Sequence, residues 1–437
     1  MSETCHLNPH HDPTVFDALL DPVHAYVDQQ NHQRTPHHNE TFSYADFFRL
    51  LAFYVVSDIA SIALLLDTHL KKRLLPPALN LRYVPRSTFN DAFERFSPAL
   101  FRDVCIFLLS KLQLQEVPEL AALGVFYCID GSLFPTLCSM QWAEYRSTCQ
   151  ALKLHLCFEL NRMIPVDFLV GTGKSSEREA LRQMLTAGVT YIADRGYVCF
   201  QLFHDILEAR AHFLIRMRSN LVYQEQASLT VQVPAAVRLV FRDITDQMIV
   251  CSNDAYASCY RLVTFWAGSS QFLLLTDRTD LTTFQVIVLY AYRWQVELLF
   301  RFLKRPMHGI HLINQSQDGV TIQFYMLLIV SLLQLRLKQQ AMTAHDEHDD
   351  APESPASPSS QAPTSSLDPT ADAPETPVPI FHQLPAEADC SHPYRFFEMI
   401  GDKLAAYWKL GIHWLSTLRH ILHYPFTPET LQLLDSG

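Results

Sequence analysis

The chain has 437 residues, 49% of them hydrophobic and 18% charged, with Lys+Arg 34 against Asp+Glu 45. That apolar fraction excludes a mainly disordered protein, and the length implies two or three domains with sizeable cores. The net charge of -11 argues at first against a nucleic-acid partner, since a phosphate backbone is held chiefly by Lys and Arg.

Counting by region changes that inference. Residues 341–390 carry ten acidic side chains and no Lys or Arg, residues 1–40 carry six acids and one Arg, and residues 391–437 balance four against four. The remaining 41–340 hold 29 Lys+Arg against 25 Asp+Glu, a net +4. The acidity sits at the start of the chain and in one late segment, and the middle is mildly basic. The ten cysteines include no Cys-x-x-Cys pair and most sit in apolar strings. With no signal peptide at the start, they read as reduced core thiols of a cytoplasmic protein. The apolar runs Leu50–Leu66 and Phe324–Leu335 read as buried helices, so no membrane partner is expected. The first contains Asp58, and the second is shorter than the roughly 20 residues a span needs.

Residues 1–40 place seven histidines among Pro, Asn and Gln. With no ligand spacing on a predicted helix, they read as a polar flexible leader rather than a metal tract. Residues 41–118 read as a helical domain. Phe47, Leu50, Leu51, Tyr54 and Val55 recur at helical spacing, and Ser87 or Thr88 can cap a later helix near Arg82 and Arg86. Helix starts beside arginines suit DNA phosphates, though an ordinary helical bundle shows the same pattern.

The texture changes at Gly124. Val125–Ile129, Leu152–Leu160, Met163–Val170, Val189–Ala193 and His212–Met217 read as strands, with helices at Glu177–Leu185 and about Phe200–Arg210. This order predicts an α/β domain over 119–342 with a mixed sheet covered on both sides. Residues about 221–275 are β-rich and read as an inserted all-β subdomain. Long helices at about Leu281–Arg305 and Thr321–Gln340 return to the main domain. Residues 343–388, rich in Pro, Ala, Ser, Thr and Asp, read as a disordered acidic linker, and 389–437 as a C-terminal helical segment.

Asp130 and Asp194 each stand at the end of an apolar strand, where ligands of open α/β sheets collect. On the helix from Leu281, the residues Tyr290, Arg293, Glu297, Arg301 and Lys304 fall within a stripe roughly 80° wide at about 100° per residue. Alone, such a stripe is an ordinary solvated face. Joined to two strand-end aspartates, it fits a different chemistry. Three carboxylates can hold two Mg²⁺ or Mn²⁺ ions, and such a pair activates the attacking oxygen and stabilises the leaving one in phosphoryl transfer. Arg, Lys and Tyr beside them suit the neighbouring phosphates. The residues point to a metal-dependent enzyme that cuts or joins a phosphodiester. Gly171–Ser176 is similar to a phosphate loop only in part, since it lacks the Gly-x4-Gly-Lys spacing.

Tyr290-x2-Arg293-x3-Glu297-x6-Lys304 resembles the Y-R-E-K signature of bacterial insertion-sequence transposases with a DDE active site, the family numbered four. Asp130-Gly131-Ser132 resembles its first Asp motif, and Asp194-Arg195-Gly196-Tyr197 its second. The resemblance covers about 120–340 well and the helices before it loosely. It implies a ribonuclease H-like catalytic domain with the β-rich insertion between Asp194 and Glu297, preceded by a helical DNA-binding domain. It further implies that Asp130, Asp194 and Glu297 are catalytic and bind two Mg²⁺ or Mn²⁺ ions. By the same likeness, Tyr290, Arg293, Arg301, Lys304, Trp294 and Arg195 contact DNA. Trp266 or Trp294 is then a candidate to stack on a flipped base, against the simpler reading of a core side chain.

The implied activity is strand hydrolysis at the transposon ends, then attack of the freed 3′-OH on target DNA or, through a hairpin, on the opposite strand. The implied partners are double-stranded DNA with terminal inverted repeats, target DNA and a second copy of the chain in a synaptic homodimer. The implied location is the bacterial cytoplasm, at the nucleoid. Two alternatives are a non-catalytic DNA-binding derivative, which would be expected to have lost an acid, and a ribonuclease H-like nuclease that cuts without strand transfer, which the Tyr-Arg-Glu-Lys stripe disfavours. The acidic linker and the tail after it stand outside the signature.

Overall fold

The computed structural model describes residues 13–36, 38, 40–57, 59–72, 83–112, 118–136, 139–146, 149–235, 238, 241–293 and 312–349, with a few positions between 418 and 430. The chain opens with helices α1 (Val15–Gln33) and α2 (Tyr44–Val56). Each starts at a capping box, Thr14 with Asp17 and Ser43 with Asp46, in which hydroxyl and carboxylate satisfy each other's backbone N–H. Residues 13–36 are therefore not a flexible leader. Val15, Phe16, Leu19, Leu20, Val23 and Val27 lie along one face of α1 and are buried, each contributing about 1.5–3 kcal/mol before ordering costs. The backbone around Val15 is also tied to the far end of the chain, with the Val15 N–H donating to the Tyr424 carbonyl at 2.9 Å and the Phe426 N–H to that of Pro13 at 2.8 Å.

Helices α3 (Arg86–Arg95) and α4 (Pro98–Lys111) follow. The N-cap of α3 is Pro85 rather than Ser87 or Thr88, which lie inside its first turn, and no side chain caps this helix. Arg86 is ion-paired with Asp67; Arg82 lies outside the described residues.

The part of the chain after residue 118 is built, among the described residues, on ten strands. These are β1 (Val125–Pro135), β2 (Glu144–Arg146), β3 (Cys149–Glu159), β4 (Ile164–Thr172), β5 (Val189–Ala193), β6 (His212–Arg216), β7 (Tyr223–Ser228), β8 (Phe241–Cys251), β9 (Cys259–Ala267) and β10 (Ser270–Thr276). They form one sheet in the order β2-β3-β1-β5-β6-β10-β9-β8-β7, with β4 also paired to β3. β1, β5 and β6 run parallel, and the other pairs are antiparallel. Helices α5 (Glu177–Gln183) and α6 (Phe200–Glu208) pack with one core, and α7 (Thr283–Ala291) and α8 (Gln317–Asp349) with the other.

Two expectations change. The β-rich stretch 221–275 is not a separate subdomain: β10 pairs with β6, so its strands lengthen the main sheet and share its cores. Helix α8 begins at Gln317 and reaches Asp349, past the expected linker boundary at 343. Its Gln317–Lys338 stretch is long and apolar enough to cross a membrane, and 67% of its most apolar window is buried inside the protein. It packs against α1, α2, α3, α4 and β4, so the helical region and the sheet share one core. The linker from 350 and most of the C-terminal segment lie outside the described residues.

Candidate active site

Register puts the two aspartates side by side. Cys128 of β1 pairs with Ile192 of β5, and Ile192 with Leu214 of β6. Two residues further along, Asp130 on β1, Asp194 just past the end of β5 and Arg216 on β6 therefore fall in one row on one face of the sheet, whose strands are about 4.8 Å apart. Asp130 is not at a strand end, as the sequence implied. β1 runs on to Pro135 because β3 keeps pairing with it, Asp130 opposite Leu156 and Pro135 opposite Ala151. What ends near Asp130 is its parallel neighbour β5, and that opens the cleft.

Each aspartate is oriented by the backbone after it. Asp130 Oδ1 accepts from the Gly131 N–H at 2.8 Å, and Asp194 Oδ1 from the Arg195 N–H at 2.7 Å. Asp194 thereby caps the short helical turn Arg195–Tyr197. Helix α7, started by a Thr282–Gln285 capping box, and the turn that follows it deliver two further residues. The Tyr290 hydroxyl donates to Asp194 Oδ1 at 3.4 Å, and Arg293 Nη1 lies 3.9 Å from Asp130 Oδ2. Arg293 is 6% exposed, and its guanidinium sits 5.9 Å from the centre of the Tyr290 ring. Burial pushes the Tyr290 phenol up to about 12, with Asp194 adding to the rise and Arg293 and Arg216 opposing it. It stays a neutral donor across the neutral range.

Of the residues expected at the site, Asp130, Asp194, Tyr290 and Arg293 are thus brought together. Arg195 is exposed beside them. It lines a cleft of about 290 Å³ with Arg216, Met217, Trp266, Ser270 and Gln271 among others. Trp266 is half-buried in that wall rather than part of the core. Glu297, Trp294, Arg301 and Lys304 lie outside the described residues, and among the described ones no three metal-ligating side chains converge. Arg216 was missed in the sequence. It stacks over Phe272 at 4.1 Å, and its place beside Asp194 is a property of strand register that no local motif carries.

Fold and row together define a mixed α/β domain with a paired-aspartate centre faced by a Tyr and an Arg. The family model described as Transposase DDE domain matches residues 122–333. A putative transposase, y4zB, of Sinorhizobium fredii is 23% identical over 257 residues, which are 58% of this chain and 72% of that one. A probable transposase for insertion sequence element IS5377 of Geobacillus stearothermophilus is 23% identical over 197 residues, 44% of this chain and 51% of that one. Residues 122–333 are thus similar to the transposase DDE domain, and the curated relatives are transposases, two of them for insertion sequence elements, the kind that the motifs resemble. A solved piggyBac transposase synaptic complex with hairpin DNA aligns over 79% of this chain and 84% of that one at 13% identity, with a TM-score of 0.34, too loose an overlap to compare the two in detail.

Proposed function

We propose that the chain is the DNA transposase of an insertion sequence. On this reading it hydrolyses one strand at each transposon end and transfers the freed 3′-OH by a cut-and-paste route through a hairpin. The observation that supports it most is the row of Asp130 on β1 and Asp194 at the end of its neighbour β5, with Tyr290 and Arg293 against them. Carboxylate oxygens in one row suit hard divalent cations, so Asp130, Asp194 and Glu297 would hold two Mg²⁺ or Mn²⁺ ions. Bound there, such ions supply Lewis-acid stabilisation of the attacking and leaving oxygens.

The protein's own part is placement. Tyr290 donates a hydrogen bond from a phenol that burial keeps protonated. Arg293 brings a buried positive charge to the same point and presents a planar donor set to a phosphate oxygen. Arg195 and Arg216, which line the adjoining cleft, suit the flanking phosphates. Trp266, half-buried among them, offers a face on which an unpaired base can stack. Lys304, Arg301 and Trp294, outside the described residues, would add DNA contacts as the resemblance implies, and so would the helical region 41–118. The domain is read as ribonuclease H-like, acting in the cytoplasm as a homodimer when two ends are paired.

Incubation with Mg²⁺ and a duplex carrying the element's terminal repeats tests the reading. Denaturing gels should show a 3′-OH nick at the end, then a hairpin, then joined target. A nick without joining would favour a nuclease, and Glu297→Gln cutting as fast as the parent would sink the assignment of the third carboxylate.

A further inference from the structure

Behind the aspartate row, on the other face of the sheet, one carboxylate reaches both Asp motifs. Ser176 caps α5, so Glu177 is its first residue. Gly131 follows Asp130 on β1 and therefore faces the α5 side, directly opposite His155 of β3. A Cβ built on Gly131 would stand 2.9 Å from Lys153 Cε, 3.2 Å from His155 Nδ1 and 3.3 Å from Glu177 Cγ. A Cβ built on Gly196 would stand 2.6 Å from Glu177 Oε2. One side chain thus lies against the backbone next to Asp130 and against the turn that Asp194 caps. The other oxygen, Oε1, is held by Lys153 Nζ at 2.7 Å, with the two side chains only 27% and 15% exposed. His155 completes the floor, buried, with Nε2 2.8 Å from Ser175 Oγ.

We propose that Glu177, held by Lys153, is a positioning residue that clamps the Gly131 and Gly196 backbone and so sets the spacing of Asp130 and Asp194. This rests on the metal-dependent reading of that pair. A shared site needs its ligands fixed to about half an ångström by groups around them. Asp130 is borne on β1, whereas Asp194 stands just past the end of β5. Both glycines follow from the clamp: neither position admits a side chain without moving Glu177 or Lys153.

Mn²⁺ titration of the full chain by electron paramagnetic resonance, beside thermal melting, tests this. Loss of a supporting residue around a metal site costs about 10–100-fold in affinity. Glu177→Ala should therefore bind Mn²⁺ roughly tenfold more weakly while melting near the parent temperature, and Lys153→Met should do the same. Lys153→Arg should recover most of the affinity. Gly196→Ala should weaken binding alone and add nothing to Glu177→Ala, because the group it strikes is then gone. If Glu177→Ala does not fold, Glu177→Gln, which keeps the volume and loses the ion pair, decides the matter. Parent-like Mn²⁺ affinity in a folded Glu177 variant would overturn the proposal. So would complete loss, which would make Glu177 a ligand. Asp194→Asn separates the two levels. If it too binds Mn²⁺ like the parent, the metal reading fails; if it alone loses Mn²⁺, only the clamp fails.

Discussion

Asp246 of β8 and Arg261 of β9 form an ion pair whose side chains are 0% and 4% exposed. Arg261 Nε and Nη2 donate to the two Asp246 oxygens at 2.9 and 2.6 Å, and Thr283 Oγ1 donates to Oδ2 at 2.7 Å. Arg261 Nη1 holds the carbonyls of Arg278 at 3.1 Å and Leu281 at 2.5 Å. The pair thus fastens the sheet to the loop that leads into α7, which carries Tyr290. Asp246→Ala would strand a buried guanidinium, at a cost of about 3–5 kcal/mol. At roughly 2–4 °C per kcal/mol for a large domain, melting should fall by about 6–20 °C. The double change Asp246→Leu with Arg261→Met should lose less, since no charge is left unpaired. Differential scanning calorimetry of the parent and the two variants reads this directly. Asp246→Ala melting within about 2 °C of the parent, outside that range, would refute the reasoning.

Three further outcomes follow from the same structure. Tyr290→Phe should slow DNA cleavage about tenfold, the worth of one hydrogen bond to a charged group, without reshaping the pH-rate profile between roughly 6 and 9, where a phenol pushed up to about 12 does not titrate; a lost alkaline limb in the variant would contradict this. His155 is held down to about 4 by burial, with Lys153 lowering it further and Glu177 opposing; a depressed folded value gives stability present above the unfolded value near 6.5 and lost as pH falls through about 4, so His155→Gln should flatten acid unfolding over that window in a pH series of melting curves. Residues 350–388 carry six carboxylates and no Lys or Arg, and deleting them should tighten non-specific DNA binding most at low salt, where the Debye length is longest; equal affinity by fluorescence anisotropy at all salts would show that the segment does not screen the DNA-facing surface.

The sequence carried most of the local structure and the wrong reading of some of its neighbours. Val189–Ala193 is strand to the residue, because the four β-formers Val189, Thr190, Tyr191 and Ile192, bounded by Gly188 and Asp194, allow little else. Residues 15–33 were hidden by His, Asn and Gln between the apolar positions, although Thr14 with Asp17 is a capping-box pattern that marks a helix start. The alternation in 221–275 identified strands, yet nothing local says which edge they join, and the pairing of β10 with β6 is a long-range choice. The strand expected to end at Asp130 runs on through Gly131 and Ser132, since β3 supplies partners that the segment does not contain. At the site, residue types and spacing revealed Asp130, Asp194, Tyr290 and Arg293. Arg216 and Glu177 were not legible, because one depends on register between parallel strands and the other on two glycines that make room for it.

The most direct test of the central claim is Mg²⁺-dependent cleavage of end-bearing DNA by purified Asp130→Asn and Asp194→Asn proteins, each checked for parent-like melting. If the two carboxylates form one catalytic pair, each variant loses cleavage by about a thousandfold or more, since the stabilisation of attacking and leaving oxygens is worth several kcal/mol, and the double variant is no worse than either alone. Cleavage at the parent rate by either folded variant would contradict the account.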